Sequence, residues 1–212
     1  PVSLVVIAHR GGDGDVEFYS LLARDIRERK AYERQIQHLA NYDSLTDLPN
    51  RLLLTDRLNV ALAQARRIGK RLALMFMDLD RFKIVNDSLG HAAGDRLLGT
   101  TGDRISSCIR VTDTLARLGG DEFAILLDTL EHRSEATTVA ERVRQKLREP
   151  ITVGEDQLVV TSSIGIALYP DSGELPEELL KAADRTMYAA KQQGRAGGHQ
   201  PPALRLVLGG SN

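Results

Sequence analysis

The spacing of hydrophobic positions along this chain changes several times, and each change marks a predicted element. Residues 2–8 and 17–23 are dense in aliphatic and aromatic side chains and are separated by Gly11-Gly12-Asp13-Gly14, so a strand hairpin is predicted. Residues 25–41 are charged and free of glycine, with Tyr32, Ile36 and Leu39 at spacings of four and three, which predicts a helix with a short heptad seam. A solvated linker helix and a dimeric coiled coil both satisfy that pattern. Leu54, Leu58, Leu62, Ala65 and Ile68 mark the inner face of a helix that Gly69 ends. Leu72-Ala73-Leu74-Met75-Phe76-Met77 then has no polar face, the signature of a central strand covered on both sides.

Further on, a helix is predicted over 92–109, strands over 114–118 and 123–127, and a helix with Ala136, Val139, Val143 and Leu147 inward before Pro150. Strand regions follow at 151–160, around the turn Gly154-Glu155-Asp156, and at 163–169; Leu179, Leu180, Ala183, Met187 and Ala190 define a last helix. From residue 43 the order is β-α-β-β-α-β. This predicts an α/β (α+β) fold of ferredoxin-like type, an antiparallel sheet with helices on one face and polar motifs meeting at one sheet edge.

Composition narrows the function classes. A 212-residue chain that is 42% hydrophobic and 27% charged fits one or two soluble domains. With 28 Lys+Arg against 29 Asp+Glu there is no basic excess for a nucleic-acid backbone. No apolar run approaches the length of a bilayer span, and residues 2–8 lack the flanks of a signal peptide. Cys108 shares a helical pattern with Leu97, Leu98, Thr101, Ile105 and Ile109 and reads as a small inward hydrophobe. A single cysteine fits a reducing cytoplasm. Because the first residue is Pro1, a fragment of a longer chain is expected, with a membrane tether upstream left open.

Candidate chemistry gathers at two acidic strand ends. Gly119 and Gly120 permit positive φ and remove Cβ atoms, so a phosphate can approach the turn. A turn accounts for the glycines and for Asp121. It does not account for Glu122, whose carboxylate beside a buried strand needs a cation or donors. The apolar run before residue 78 likewise ends in Asp78-Leu79-Asp80. Acids from two buried strands suit Mg²⁺, which takes a few carboxylates and leaves other positions to water and substrate phosphates. His9, His38, His91, His132 and His199 show no metal-ligand spacing.

Gly119-Gly120-Asp121-Glu122-Phe123 resembles the signature of the GGDEF-domain diguanylate cyclase family. The resemblance extends over about three-quarters of the chain: Asp43-Ser44-Leu45-Thr46-Asp47-Leu48-Pro49-Asn50-Arg51, Asp78-Leu79-Asp80-Arg81-Phe82-Lys83 with Asn86-Asp87 and Gly90-His91, Gly94-Asp95, Ser163-Ile164-Gly165-Ile166-Ala167, and Ala183 to Lys191. Residues 16–26 with Glu28-Arg29-Lys30 are similar to the end of a PAS sensor domain entering its exit helix. The resulting division is a PAS remnant at 1–24, a signalling linker helix at 25–42, a GGDEF domain at 43–198 and an atypical tail at 199–212. After Arg195, where the family continues with a closing strand, this chain has Ala196-Gly197-Gly198-His199 and then an apolar run at 203–208, which would supply an edge strand or stay unstructured.

The resemblance implies condensation of two GTP into cyclic di-GMP and two pyrophosphates across a homodimer. Asp78, Glu122 and the Leu79 carbonyl would hold two Mg²⁺, with Mn²⁺ an alternative. Asp121 would assist removal of the 3′-hydroxyl proton or only form the turn, and Asp80 would support the site or only be solvated. Lys83, Lys191 and Arg195, with amides near Arg81 and Phe82, would meet the triphosphate; Gly119 and Gly120 would admit it; Asn86 and Asp95 would read guanine. Arg110-Val111-Thr112-Asp113 matches the family's inhibitory product site, with a second arginine open among Arg142, Arg144 and Arg148. The rival reading is a catalytically silent GTP- or cyclic di-GMP-binding module of a larger sensor or phosphodiesterase. A cyclase for another base is a third.

Overall fold

The structure, a computed structural model, describes residues 1–10, 12, 14–153, 156–196 and 205–206. It divides into two units, Pro1–Ala40 and Asn41–Asn212. Among the described residues no helix is long and apolar enough to cross a membrane.

The first unit holds β1 (Val2–Arg10), antiparallel to β2 (Val16–Asp25), followed by α1 (Arg27–Asn41), whose last residue belongs to the second unit. Register puts Leu4, Val6, Ala8, Tyr19, Leu21 and Ala23 on one face and Val5, Ile7, Phe18 and Leu22 on the other. All of them are exposed. The His9 ring stacks on Phe18 at 4.3 Å and pairs with the Ser20 hydroxyl at 2.7 Å. Helix α1 buries no residue, and Tyr32, Ile36 and Leu39 stand open to solvent.

In the second unit, α2 (Arg51–Ile68) starts where the Asn50 side chain accepts from the Leu52 and Leu53 amides, and stops at Gly69 with φ 66°. Then come β3 (Arg71–Leu79), α3 (Phe82–Leu89), α4 (His91–Ser106), β4 (Thr114–Gly119), β5 (Glu122–Leu130) and α5 (Ser134–Leu147). A small hairpin, β6 (Ile151–Val153) and β7 (Asp156–Leu158), precedes β8 (Ser162–Tyr169), α6 (Pro176–Ala196) and β9 (Arg205–Leu206). The sheet order is β4-β5-β3-β8-β9, antiparallel except for the β8/β9 pair. Apart from β9, the atypical tail expected at 199–212 lies outside the described residues, as do Gly11, Asp13, Gly154 and Glu155.

Three expectations need correction. Helices cover both faces of the sheet, not one. Ala73, Met75, Met77 and Leu79 of β3 pack toward Leu98 and Ile105 of α4 and Ala136, Ala140 and Val143 of α5, whereas Leu72, Leu74 and Phe76 pack toward α2 and α6. A strand apolar on both sides has to be covered twice. The acids therefore sit at the end of the central strand and not at a sheet edge. Residues 82–89 form a helix where a turn was expected, because Arg81 adopts the left-handed conformation, φ 62°, and lets the chain enter α3 at once.

Among the described glycines the closest approach to the main chain of another element is made at Gly165 of β8. A Cβ there would lie 2.1 Å from the Met187 nitrogen and 2.4 Å from the Ala183 carbonyl oxygen of α6. The helix backbone thus rests directly on the strand. Gly165 pairs with Phe76, and Ser163 with Asp78. Two strand residues advance about 6.6 Å and one helical turn about 5.4 Å, so the residue one turn beyond Met187 reaches the level of Asp78. That residue is Lys191.

Candidate active site

Antiparallel register sets Asp78 of β3 directly opposite Glu122 of β5, and the Leu79 amide donates to the Asp121 carbonyl at 3.3 Å. The Gly-Gly turn is thereby tied to the end of the central strand. Gly119 and Gly120 adopt φ 131° and 55°, and nothing lies within 4 Å of where their Cβ atoms would stand. The turn offers open backbone beside two carboxylates.

Asp78 is the buried member of the pair. Lys191 donates to its Oδ2 at 2.6 Å, while Oδ1 is buried with no hydrogen-bond partner. Burial pushes the Asp78 carboxyl above the usual aspartate range; the Lys191 bond opposes the shift, and the charges of Asp121 and Asp80 add to it. An orphaned acceptor in a concentration of negative charge fits a cation. Glu122 is more open, 43% exposed, with the Arg51 guanidinium 3.8 Å away. Among the described residues no three His, Cys, Asp or Glu side chains converge as a ready-made cage. A cation held by Asp78 and Glu122 would need further oxygens, from the Leu79 carbonyl, water or a phosphate, as Mg²⁺ accepts.

Neighbouring residues set the frame. Asp80 accepts from Thr161 and Ser163 hydroxyls, each at 2.7 Å, which fastens the end of β3 to the start of β8. Helix α3 has no side-chain cap, so its first amides, near Phe82 and Lys83, remain as donors for an anion. The Phe82 ring packs into the core, and Lys83 is exposed. Asn86 of α3 is packed against Gly94 of α4 so tightly that a Cβ at Gly94 would lie 1.9 Å from Asn86 Oδ1, an atom that is itself buried and unpartnered. Asp95 is next along α4 and exposed; it is inside the helix and is no cap. Arg195 falls on the last turn of α6, and its side chain lies outside the described residues.

Sequence reasoning gave Arg117 no role. Its guanidinium donates to the Gly120 carbonyl at 2.8 and 3.1 Å and to Asp43 Oδ1 at 2.8 Å, bracing the turn against the loop before α2. An arginine in an otherwise apolar strand, two residues before the glycines, was the available signal. Asp43 also accepts from the Thr46 amide and hydroxyl. Burial raises the Asp43 carboxyl, but the Thr46 and Arg117 bonds together outweigh it, and its pKa falls below the ordinary value. A depressed carboxyl contributes stability that is present above the unfolded pKa of about 3.9 and is lost as pH falls through the folded value. Asp43→Asn is therefore expected to cost about 1–3 kcal/mol at pH 7 in urea unfolding. The gap to the parent should close below about pH 4; an equal gap at both pH values would contradict the assignment.

Arg110 and Asp113 are not part of this cluster. They line a separate cavity of about 410 Å³ with Leu127, Glu135, Val139 and Arg142. The Arg110 amide donates to Asp113 Oδ2 at 2.9 Å, and its guanidinium meets Glu135 at 3.2 Å. Of the three arginines left open, Arg142 lines the cavity and donates to the Cys108 carbonyl, whereas Arg144 is paired with Glu141 at 2.9 Å. A larger cavity, about 630 Å³, lies beyond the other end of β8 between Pro170 and Arg185 and holds none of the predicted residues.

Comparison with known proteins follows the same outline. The GGDEF family, described as diguanylate cyclase, GGDEF domain, matches residues 40–197. The chain is 48% identical over 164 residues to the bifunctional diguanylate cyclase/cyclic di-GMP phosphodiesterase MucR of Pseudomonas aeruginosa, covering 77% of this chain and 24% of that protein. It is 46% identical over 161 residues to diguanylate cyclase TpbB of the same organism, covering 76% and 37%. The chain thus spans well under half the length of these relatives. The crystal structure of the TpbB GGDEF domain superposes with TM-score 0.72 at 41% identity, covering 76% of this chain and 98% of that one. The coiled coil and GGDEF domain of DgcB from Caulobacter crescentus, in complex with cyclic di-GMP, gives 0.73 at 26% identity, covering 85% and 93%.

Proposed function

The chain belongs to the GGDEF-domain family, and from that premise we propose that residues 43–198 are a diguanylate cyclase domain turning two GTP into cyclic di-GMP and two pyrophosphates. The observation that carries this reading is the buried, unpartnered Asp78 Oδ1 opposite Glu122, beside a turn whose two glycines leave the backbone open. In each half-reaction a 3′-oxygen bonds to the α-phosphorus of the other GTP, the bond from that phosphorus to the bridging oxygen breaks, and pyrophosphate leaves as the hydroxyl proton is removed. Asp78, Glu122 and the Leu79 carbonyl would hold Mg²⁺ or Mn²⁺, which when bound neutralises charge on the entering and leaving oxygens. Asp121 stands at the turn where a proton acceptor is needed. Lys83, Lys191, Arg195 and the first amides of α3 bind the triphosphate. Asn86 and Asp95 read guanine: a carboxylate accepts from its N–H groups, an arrangement adenine does not match.

One site per chain holds one GTP, so two domains must face each other to close the ring. Dimerisation converts a rare encounter of two bound nucleotides into an oriented one. The exposed seam of Tyr32, Ile36 and Leu39 on α1 suits that pairing, and the hairpin before it suits the end of a PAS sensor. GTP as substrate agrees with a cytoplasmic location.

Incubation of the purified chain with GTP and Mg²⁺, read by chromatography and mass spectrometry, tests the reading. Cyclic di-GMP is the expected product. NbdA of Pseudomonas aeruginosa, 46% identical over 161 residues, is named a cyclic di-GMP phosphodiesterase, and this favours a second reading, a nucleotide-binding module without catalysis. GTP bound with no pyrophosphate released would select it. The Arg110 cavity is assigned to product inhibition, with Asp113 and Arg142. Arg110→Ala is expected to raise the cyclic di-GMP concentration for half-inhibition at least about tenfold, the loss of one charge-assisted contact, and to leave the initial rate within twofold. An unchanged inhibition curve would remove the cavity from that role.

A further inference from the structure

Lys191 holds Asp78 Oδ2, and a cation taken up by the same carboxylate, whose Oδ1 is unpartnered, meets the charge of the lysine. Its ammonium lies 2.6 Å from Asp78 Oδ2, with side-chain exposures of 27% and 7%. Among the described residues no other cation forms an ion pair with Asp78. A carboxylate so buried is costly without a counter-ion, and Lys191 supplies one. A divalent ion on the same carboxylate and an ammonium within hydrogen-bond reach of it repel each other. The lysine stem is long and flexible, and it springs from a helix whose backbone rests on Gly165.

We propose that Lys191 is an exchangeable counter-ion. It neutralises Asp78 while the site is empty, then transfers to the nucleotide triphosphate when the carboxylate takes up a divalent cation. This rests on the reading of the domain as a GTP-binding site. Uptake of metal and nucleotide is coupled through one side chain: metal alone must expel Lys191 into solvent, whereas metal arriving with a triphosphate gives the ammonium a new partner.

The test is Mn²⁺ binding to the nucleotide-free full chain, followed by the electron paramagnetic resonance signal of free Mn²⁺. Lys191→Met and Lys191→Gln remove the competing charge at similar volume and are each expected to bind Mn²⁺ about tenfold tighter than the parent. Both variants should bind a non-hydrolysable GTP analogue, with Mn²⁺ present, about tenfold more weakly. Asp78→Asn should abolish the tightened site, which identifies it. Unchanged or weaker Mn²⁺ binding in folded variants of both kinds, or no Mn²⁺ bound by parent or variants, overturns the proposal. Tightening in a parent background that makes no cyclic di-GMP would uphold the exchange and sink the cyclase reading. Product formation without tightening would do the reverse.

Discussion

Glu122→Gln is expected to lower cyclic di-GMP formation at least about a hundredfold, the scale on which losing one charged group from a transition-state clamp is felt. The substitution keeps the side chain's volume and removes only its charge. Glu122 is 43% exposed and its nearest cation, Arg51, stands 3.8 Å away. An exposed pair of that length contributes little to stability. The melting temperature should therefore move by no more than about 2 °C, which corresponds to about 0.5–1 kcal/mol in a domain this size. Initial rates of pyrophosphate release and a circular dichroism melt measure both quantities on one preparation. A rate within tenfold of the parent would take Glu122 out of the reacting set, whatever its position.

Gly165→Val is expected to have the largest effect on folding. Its Cβ would lie 2.1 Å from a backbone nitrogen of α6. No rotamer change relieves a clash with main chain, so the helix must lift from the sheet. Overpacking of this kind costs about 3 kcal/mol or more, enough to lower the urea midpoint substantially. Lys191 rides on the same helix, so the remaining folded fraction should also lose affinity for a GTP analogue. Gly99→Ala is the control. It too stands in a packed secondary element, but nothing lies within 4 Å of its Cβ position; it should be neutral or stabilising by up to about 1 kcal/mol. Equal losses from both substitutions would show that a glycine as such, and not this approach, is what matters.

Local order was readable because it is a local property. The apolar run at 72–77 has no polar face, so its burial on both sides follows from composition alone, and β3 is buried from Leu72 to Leu79. Gly69 ends α2 for the same kind of reason, the left-handed conformation at φ 66°. Helix α3 escaped because its polar stretch Asn86-Asp87-Ser88 and the following Gly90 resemble a turn. Besides the left-handed Arg81 that starts it, the helix is held by the packing of Phe82 and Val85 against a cluster that includes the distant Ile151, Val153 and Val160.

Sequence by itself determined the order of motifs that marks the family and singled out the candidate residues, acids at the ends of buried strands with paired glycines before one of them. Only the tertiary structure decided which of them meet. Lys191 and Asp78 are 113 positions apart, and Arg117 and Asp43 are 74 apart. No periodicity links such pairs. Their meeting depends on a sheet order that places β3 at the centre and on a glycine that lets α6 rest against β8. Hydrophobic spacing reports whether a residue is buried by its own element; which charge faces which is settled when separate elements close on one core.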